Sequence, residues 1–154
     1  TRLDNYLIWQ GKPGVPPEPP VKPLTAAEQA RFELGKQIYE ISCAACHQAH
    51  GYGMEGLAPP LVDSEWVVSS PSRLARIILH GVRGPITVKG RKYDMDMPSL
   101  GTFEDEQIAA IMTYIRREWE HTYSPIDTKF VTNIRKETGT REESWTEAEL
   151  KKVK

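Results

Sequence analysis

Apolar residues recur at helical spacing most clearly between residues 104 and 119. The apolar positions in this stretch are Ile108, Ile111, Met112, Ile115 and Trp119. Because an α-helix has about 3.6 residues per turn, this spacing gathers them into one stripe that faces a core. Acidic residues open the stretch and two arginines stand near its end, which suits the helix dipole. The pattern predicts a helix over 104–119.

Capping signals predict two further helices. Thr25 and Glu28 have the spacing of a capping box, and a helix-compatible apolar pattern follows them, so we expect a helix over 26–42. A serine–proline pair precedes another apolar pattern, which predicts a helix over 71–80 that ends before Gly81.

The remaining patterns are shorter. Residues 127–138 have the pattern of an amphipathic helix ended by Gly139, and a second capping box spans 146–149 before a last charged turn. Glycines and prolines make 49–63 a loop, and β-branched residues at 86–88 indicate a small hairpin or an irregular loop. The sequence therefore predicts an all-α fold of several short helices and long loops, with almost no sheet.

The chain divides by composition into three parts. Residues 11–23 hold six of the twelve prolines, so we predict that 1–23 form an extended, stiff N-terminal segment or linker. Residues 24–120 are the expected domain, and 121–154 are the expected C-terminal helical extension. We expect the charge pairs within 135–152 to lie on solvated helix faces.

Composition excludes some functions. The chain has 154 residues, with 20 Lys and Arg against 21 Asp and Glu, and this near balance argues against a nucleic-acid partner. Its apolar runs fall well short of the ~18 residues that a membrane span needs, so we expect no span in this chain. The sequence begins at Thr1, so we expect either that a targeting segment was removed or that the chain is cut from a longer protein.

The chemistry centres on Cys43, Cys46 and His47, a C-x-x-C-H run after the first predicted helix. Residues 43–70 contain few large apolar side chains, so the centre of the fold would be poorly filled without a cofactor. The run is the attachment signature of c-type haem. Cysteines three apart lie on one side of a helical turn, where both thiols reach the vinyl groups of one porphyrin and the next histidine reaches the iron. We expect one covalent haem c.

Three other interpretations of the cysteines stay open. A thioredoxin-like redox pair follows a strand in a βαβ unit, and no strand pattern precedes Cys43. A zinc site would need His47 and His50 to complete a Cys2His2 set within one turn of loop, which is poor tetrahedral geometry. The third interpretation is two ordinary buried thiols.

The second axial position of the iron has several candidates. They are His50, His80, His121, Met54, Met95, Met97 and Met112. Some follow His47 too closely, some stand at helix ends, where histidine usually complements the dipole, and one lies inside a helix, where methionine usually fills the core. Met95 and Met97 remain, and their spacing of two does not choose between them. A thioether ligand favours ferrous iron and closes the sixth position, as an electron carrier requires.

Residues from about 25 to 120 resemble a class I cytochrome c. In that family the first helix carries a glycine and an aromatic residue four apart before the first cysteine, and the last helix crosses it there with an aliphatic–aromatic pair. The matching residues are Gly35, Tyr39 and Cys43, then Ile111 and Tyr114. The resemblance implies a cytochrome c fold in which Gly35 lets the two helices approach closely.

The resemblance also implies roles for loop residues. Pro59 and Leu61 match a Pro-x-Leu pattern whose proline carbonyl accepts the free N–H of the proximal histidine, here His47. Met97 and the proline after it resemble the family's ligand loop, so the resemblance favours Met97 over Met95.

Trp66 has two interpretations of equal weight. It lines the haem or donates its indole N–H to a propionate, or it is an ordinary core tryptophan. We place it among the cofactor-binding candidates.

A narrower resemblance comes from four phrases of the chain, at 58–61, 64–67, 80–86 and 145–150. They look like the C-terminal cytochrome modules of large bacterial multidomain proteins, which often carry a β-propeller dehydrogenase-like domain upstream. The implied partner is a redox protein or a fused dehydrogenase domain. Because haem c is attached outside the cytoplasm, the resemblance implies a periplasmic or otherwise extracytoplasmic location.

The expected function is single-electron transfer through one haem c ligated by His47 and Met97, without catalysis by this chain. The first alternative is a haem sensor or a peroxidase-like enzyme whose sixth position is open or weakly held. The second alternative is a structural domain that uses its cysteines for zinc.

Overall fold

The computed structural model describes residues 21–154. The C-x-x-C-H run lies among its helices, at the end of the first one. The elements are α1 (Ala26–Ser42), α2 (Ala44–His47), α3 (Glu65–Val68), α4 (Pro71–His80), β1 (Ile86–Val88), β2 (Arg91–Tyr93), α5 (Asp105–Arg117), α6 (Thr128–Thr138) and α7 (Glu147–Lys151). The two strands form one antiparallel hairpin that pairs Ile86 with Tyr93. Most of the predicted linker, residues 1–20, lies outside the described residues.

Most helix predictions are confirmed, because the caps that predicted them are formed. The Glu28 amide donates to the Thr25 hydroxyl, and the Thr25 amide donates to the Glu28 carboxylate at 2.9 Å. Ser70 caps α4 through the Arg73 amide. The second capping box, which precedes α7, is also present. Two short helices, α2 and α3, were not predicted.

The helix predicted over 104–119 ends at Arg117 instead of residue 119. Trp119 has a φ of 56°, so its backbone is left-handed and its side chain leaves the helical stripe. Its indole N–H donates to the Ala49 carbonyl at 3.0 Å, and its ring packs edge-on against Tyr39 and Tyr114. These contacts account for the early end of the helix.

Helices α1 and α5 cross at Gly35, and the close approach expected from the resemblance is present. A Cβ at this position would overlap the backbone carbonyl of Ala110 and lie 2.9 Å from the Cβ of Tyr114. Phe32 and Tyr39 pack on either side with ring centroids 5.1 and 5.2 Å from that of Tyr114. The absence of a side chain at Gly35 therefore sets the distance between the two helices.

Two clusters of buried residues form the interior. The larger, which we call the helical core, joins α1, α4, α5 and α6 and includes Tyr39, Leu74, Ile111, Met112 and Val131. The smaller, which we call the strand core, consists of Trp66, Ile77, Val82, Ile86, Val88 and Leu150, with Tyr93, Met97 and Trp145 packed against it. Leu150 belongs to the C-terminal segment, so this segment contributes to the interior.

No helix within residues 21–154 combines the length and apolarity that crossing a bilayer requires.

Candidate cofactor site

The C-x-x-C-H run forms one helical turn at the end of α1. Cys43 ends α1, and its carbonyl accepts the amides of Cys46 at 3.2 Å and His47 at 2.9 Å. Cys43 is half-buried and Cys46 is exposed, and neither forms a disulfide within residues 21–154. The turn brings both cysteines and the histidine to the wall of one cavity.

This cavity lies between the helical core and the strand core. It encloses about 1180 Å³ of empty space, open mouth included. Its wall is mostly apolar, with Val67, Leu74 and Ile111 from the helical core and Ile77 and Val88 from the strand core. Ligand pockets are lined mostly by apolar side chains with a few polar groups, so this wall suits an apolar cofactor.

His47 lies in the wall with one ring nitrogen fixed. Its side chain is buried, and Nδ1 lies 2.9 Å from the carbonyl oxygen of Pro59. Because a carbonyl only accepts, Nδ1 carries the proton and Nε2 keeps its lone pair. Burial lowers the pKa of His47, and the bond to Pro59 opposes this. Within residues 21–154, Nε2 has no hydrogen-bond partner, so the ring offers an unshared lone pair.

The Cys43 thiol does not have the lowered pKa of a reactive redox thiol. Burial, and then the neighbouring Cys46, raise the pKa of the Cys43 thiol to about 11, whereas a reactive thiol has a lowered pKa. Helix α1, not a strand, leads into Cys43. For the zinc alternative, no group of three or more His, Cys, Asp and Glu side chains in residues 21–154 has the geometry to hold a metal ion.

None of the five histidine and methionine candidates away from the loop of Met97 lines the cavity. Nδ1 of the exposed His50 accepts the amide of Tyr52 at 3.1 Å. Met54 is exposed, and Met112 is fully buried in the helical core. The Nδ1 atom of His80 accepts the indole N–H of Trp145 at 3.2 Å.

His121 has both ring nitrogens engaged. Its Nε2 atom accepts the amide of Asp63 at 2.9 Å, and its Nδ1 atom lies 2.7 Å from the carbonyl oxygen of Ile115. The ring is buried beside Trp119 and Tyr123. His121 therefore connects two segments of the fold and lies outside the cavity wall.

Met95 and Met97 both line the cavity, but they are held differently. Met95 is 54% exposed. Met97 is half-buried against the strand core, and its amide donates to the Val82 carbonyl at 2.9 Å while its carbonyl accepts the Val82 amide at 3.1 Å. Gly81 makes this pairing possible, because a Cβ there would overlap the carbonyl of Met97.

Trp66, Pro59 and Leu61 also line the cavity. The indole N–H of Trp66 donates to the Thr87 carbonyl at 2.9 Å, so it joins α3 to β1. The bond engages the only donor of that ring with the backbone. The Leu61 amide donates to the Gly51 carbonyl at 2.7 Å, which fixes the loop behind Pro59.

Sequence reasoning missed two contributors to the site. The hydroxyl of Tyr39, whose ring lines the cavity, donates to the Gln48 carbonyl at 2.6 Å and so anchors the residue after His47. Val82 pairs with Met97 across 15 positions of the chain. Neither contact has a local signal, since each depends on segments that meet only in the fold.

Comparisons with known proteins agree on one family. The family model for cytochrome c oxidase, cbb3-type, subunit III matches residues 30–115. The chain is 39% identical over 89 residues to a cytochrome c-552 of Thermus thermophilus, which covers 55% of this chain and 67% of that protein. It is 30% identical over 112 residues to the gluconate 2-dehydrogenase cytochrome c subunit of Pantoea cypripedii, which covers 68% of this chain and 24% of that protein. The alcohol dehydrogenase (quinone) cytochrome c subunit of Gluconobacter oxydans is 28% identical over 87 residues, which are 55% of this chain and 18% of that subunit.

Proposed function

The chain belongs to the cytochrome c family, and on this premise we propose that it carries one haem c, bound covalently by Cys43 and Cys46 and ligated by His47 and Met97. The family's cofactor is haem c and its role is electron transfer, so the chain is an electron carrier and not itself an enzyme. The confirmed all-α cytochrome c fold is the one that the resemblance implied.

The observation that carries the proposal is the state of His47. A buried imidazole with one nitrogen bonded to Pro59 and the other without a partner in the described chain is an orphaned polar group, which is costly unless a ligand engages it. Coordination to iron would engage this free nitrogen. The Pro59 carbonyl would then orient the ring, as partners of metal-bound histidines do. The two thiols in the same wall fit covalent attachment.

The haem supplies a one-electron change at its iron. The residues of this chain hold and enclose it. The apolar wall keeps water from the ring and lowers the local dielectric, which shapes the potential. Met97 fills the sixth position with a thioether, which favours ferrous iron and keeps small molecules off the metal. This arrangement suits electron transfer and opposes sensing or peroxidase chemistry.

The relatives support a proposal for the partner and the location. Two of them are named as cytochrome c subunits of dehydrogenases, and the chain spans about a quarter of one and less of the other. We propose that this chain accepts electrons from a dehydrogenase, as a fused module or as a separate subunit, and works outside the cytoplasm. The near-zero net charge predicts docking with little long-range steering, so partner reduction should depend weakly on salt.

The attachment is tested with the pyridine haemochrome spectrum of protein made in cells that mature c-type cytochromes. The wild type is expected to show one covalent haem per chain that survives acid–acetone extraction. A Cys43→Ser and Cys46→Ser double variant is expected to lose it. A colourless, folded wild type containing zinc would contradict the proposal.

The sixth ligand is tested with two matched variants. Met97→Ala is expected to abolish the weak near-infrared sulfur-to-iron band of the oxidised protein while the haem stays attached. Met95→Ala is the matched control, since Met95 lies two residues away in the same wall. It is expected to keep the band, because Met97 is still present. The reverse outcome would assign Met95, and immediate carbon monoxide binding to the ferrous wild type would favour a sensor or peroxidase-like function.

A further inference from the structure

Met97 belongs to a small ladder of three extended segments. Its amide and carbonyl both bond to Val82, as described above. The chain after it is fixed by the Leu100 amide, which donates to the Ile78 carbonyl at 2.9 Å. Residues 94–96, which come before it, are exposed. The position of the Met97 backbone therefore depends on the position of Val82.

The other edge of the Val82 segment pairs with the C-terminal segment. The Trp145 amide donates to the Gly81 carbonyl at 2.9 Å, and the Arg83 amide donates to the Trp145 carbonyl at 2.9 Å. Val82 thus bridges Met97 on one side and Trp145 on the other. The C-terminal segment is the outer strand of the ladder that holds Met97.

Side-chain contacts fix Trp145 in place. Its indole N–H donates to Nδ1 of His80, at the end of α4. The guanidinium of Arg141 stacks on the ring, 3.5 Å from its centroid, and also donates to the Glu149 carboxylate at 2.9 Å. Such stacking suits the planar guanidinium. The ring is therefore held between α4 and the turn that starts α7.

Helix α7 adds a second anchor. Leu150 is fully buried in the strand core with Val82, and Met97 packs against the same cluster. The Glu147 carboxylate accepts the Thr87 amide at 2.6 Å, and the Arg73 guanidinium donates to the Val153 carbonyl at 2.8 Å. These contacts tie the segment to the hairpin and to α4.

We propose that residues 143–154, which we call the brace, position Met97 as the sixth ligand by holding the Val82 segment against it. The brace lies beyond residues 30–115, so it is an addition to the part of the chain that the family model matches. The inference rests on the ligation proposed above. Trp145 and Leu150 are positioning residues, since neither needs to touch the haem.

The physical effect is on local opening of the loop. Segments with few buried contacts open more often than the rest of a fold, and Met97 itself is fixed by one pair of main-chain bonds between exposed residues 94–96 and the Leu100 contact. The brace adds an outer strand and a buried leucine, so opening must also break these contacts. Without the brace, Met97 leaves the iron more often, and exogenous ligands gain access.

The test uses the full haem-loaded chain with Trp145→Ala, compared with Val131→Ala and Lys152→Ala. Val131 is fully buried in the helical core, so its variant loses stability away from the ladder, and Lys152 is exposed. The readouts are hydrogen exchange at the Val82 and Met97 amides, the near-infrared band, and the imidazole concentration that displaces it. Trp145→Ala is expected to speed exchange at both amides about tenfold, with α5 amides much less affected, and to lower the displacing concentration by a similar factor.

The inference is overturned if Trp145→Ala behaves as Val131→Ala does, so that hydrogen exchange speeds up equally at Val82, at Met97 and in α5. If Trp145→Ala does not fold, Trp145→Phe keeps the ring over Arg141 but loses the bond to His80, and it is expected to show a smaller change of the same kind. A wild type without the near-infrared band would refute the ligation but not the brace, because hydrogen exchange at Val82 and Met97 reports on the pairing of these segments whether or not Met97 binds the iron.

Discussion

The two walls of the cavity are built from different kinds of contact. The wall that carries Cys43 belongs to the helical core, where two long helices meet at Gly35 through side-chain packing. The wall that carries Met97 belongs to the strand core, where main-chain hydrogen bonds between the extended segments at Val82, Met97 and Trp145 add to side-chain packing. The stability of the fold and the position of Met97 thus depend on different residues. A substitution in one wall should therefore produce a measurable effect that a substitution in the other wall does not produce.

Gly35→Ala should give the largest effect, because the added methyl group meets a backbone carbonyl that cannot move without shifting α5. We expect a loss of about 3 kcal/mol or more in the free energy of unfolding, or failure to fold. Urea denaturation of the haem-loaded protein measures it. Gln37→Ala, at an exposed position of the same helix, is the control. A loss similar to that of the control would show that the helices separate easily.

Leu150→Ala should weaken the strand core and spare the helical core. A buried leucine truncated to alanine costs about 2–5 kcal/mol, and we expect the low end because the segment can move inward to fill the space. Hydrogen exchange should become faster at Val82 and Val88, with a smaller increase in α1. Equal acceleration in both cores would mean that they open as one unit and would remove the contrast.

Trp66→Phe and Trp119→Phe compare the same substitution in the strand core and beside the helical core. Each removes one indole N–H, which donates to the Thr87 carbonyl for Trp66 and to the Ala49 carbonyl for Trp119. The first bond is part-buried and the second is exposed, so we expect a loss of about 1 kcal/mol for Trp66→Phe and less for Trp119→Phe. Thermal unfolding measures both. A larger effect at Trp119 would indicate that its aromatic packing outweighs the hydrogen bond.

Asp105→Asn should give the smallest effect and one that depends on pH. Burial alone would raise the pKa of Asp105, but the hydrogen bonds from Thr132 and Arg135 and the charge of Arg135 lower it overall. A carboxyl group with a lowered pKa stabilises the fold above its unfolded pKa of about 3.9 and loses this contribution as pH falls through the folded pKa. At pH 7 the free energy of unfolding of the wild type should exceed that of the variant by less than about 1 kcal/mol.

Urea denaturation at about pH 7 and about pH 3 checks this prediction, since the difference should shrink at the lower pH. Because Asp105 joins α5 to α6, the effect belongs to the helical core and should not alter the near-infrared band. A difference that grows on acidification would reverse the assigned sign.

Local signals predicted the helical core well. Thr25 and Glu28 fixed the start of α1, and Ser70 fixed that of α4, because caps act within one turn. The stripe over 104–119 overshot by two residues, since the packing of Trp119 on Tyr39 is a contact between distant segments. Spacing alone shows which side chains share a face, but not where a competing contact ends the helix.

The strand core had almost no local signal. The pairing of Val82 with Met97 and Trp145 joins three distant parts of the chain, and no periodicity encodes it. The charge pairs of the C-terminal segment, expected on solvated faces, are only partly so, because Arg135 pairs with Asp105 and Arg141 stacks on Trp145. Both arginines serve contacts that exist only after the chain folds.

Between Gly81 and the loop of Met97 there is no room for a methyl group. With a φ of 80° and the Met97 carbonyl in the space that a Cβ would fill, the position accepts hydrogen alone. A redesign of the exposed side chains within residues 93–99 leaves this backbone contact in place, because the contact involves main-chain atoms only. It must keep this one glycine as the fixed spacer between the end of α4 and the loop.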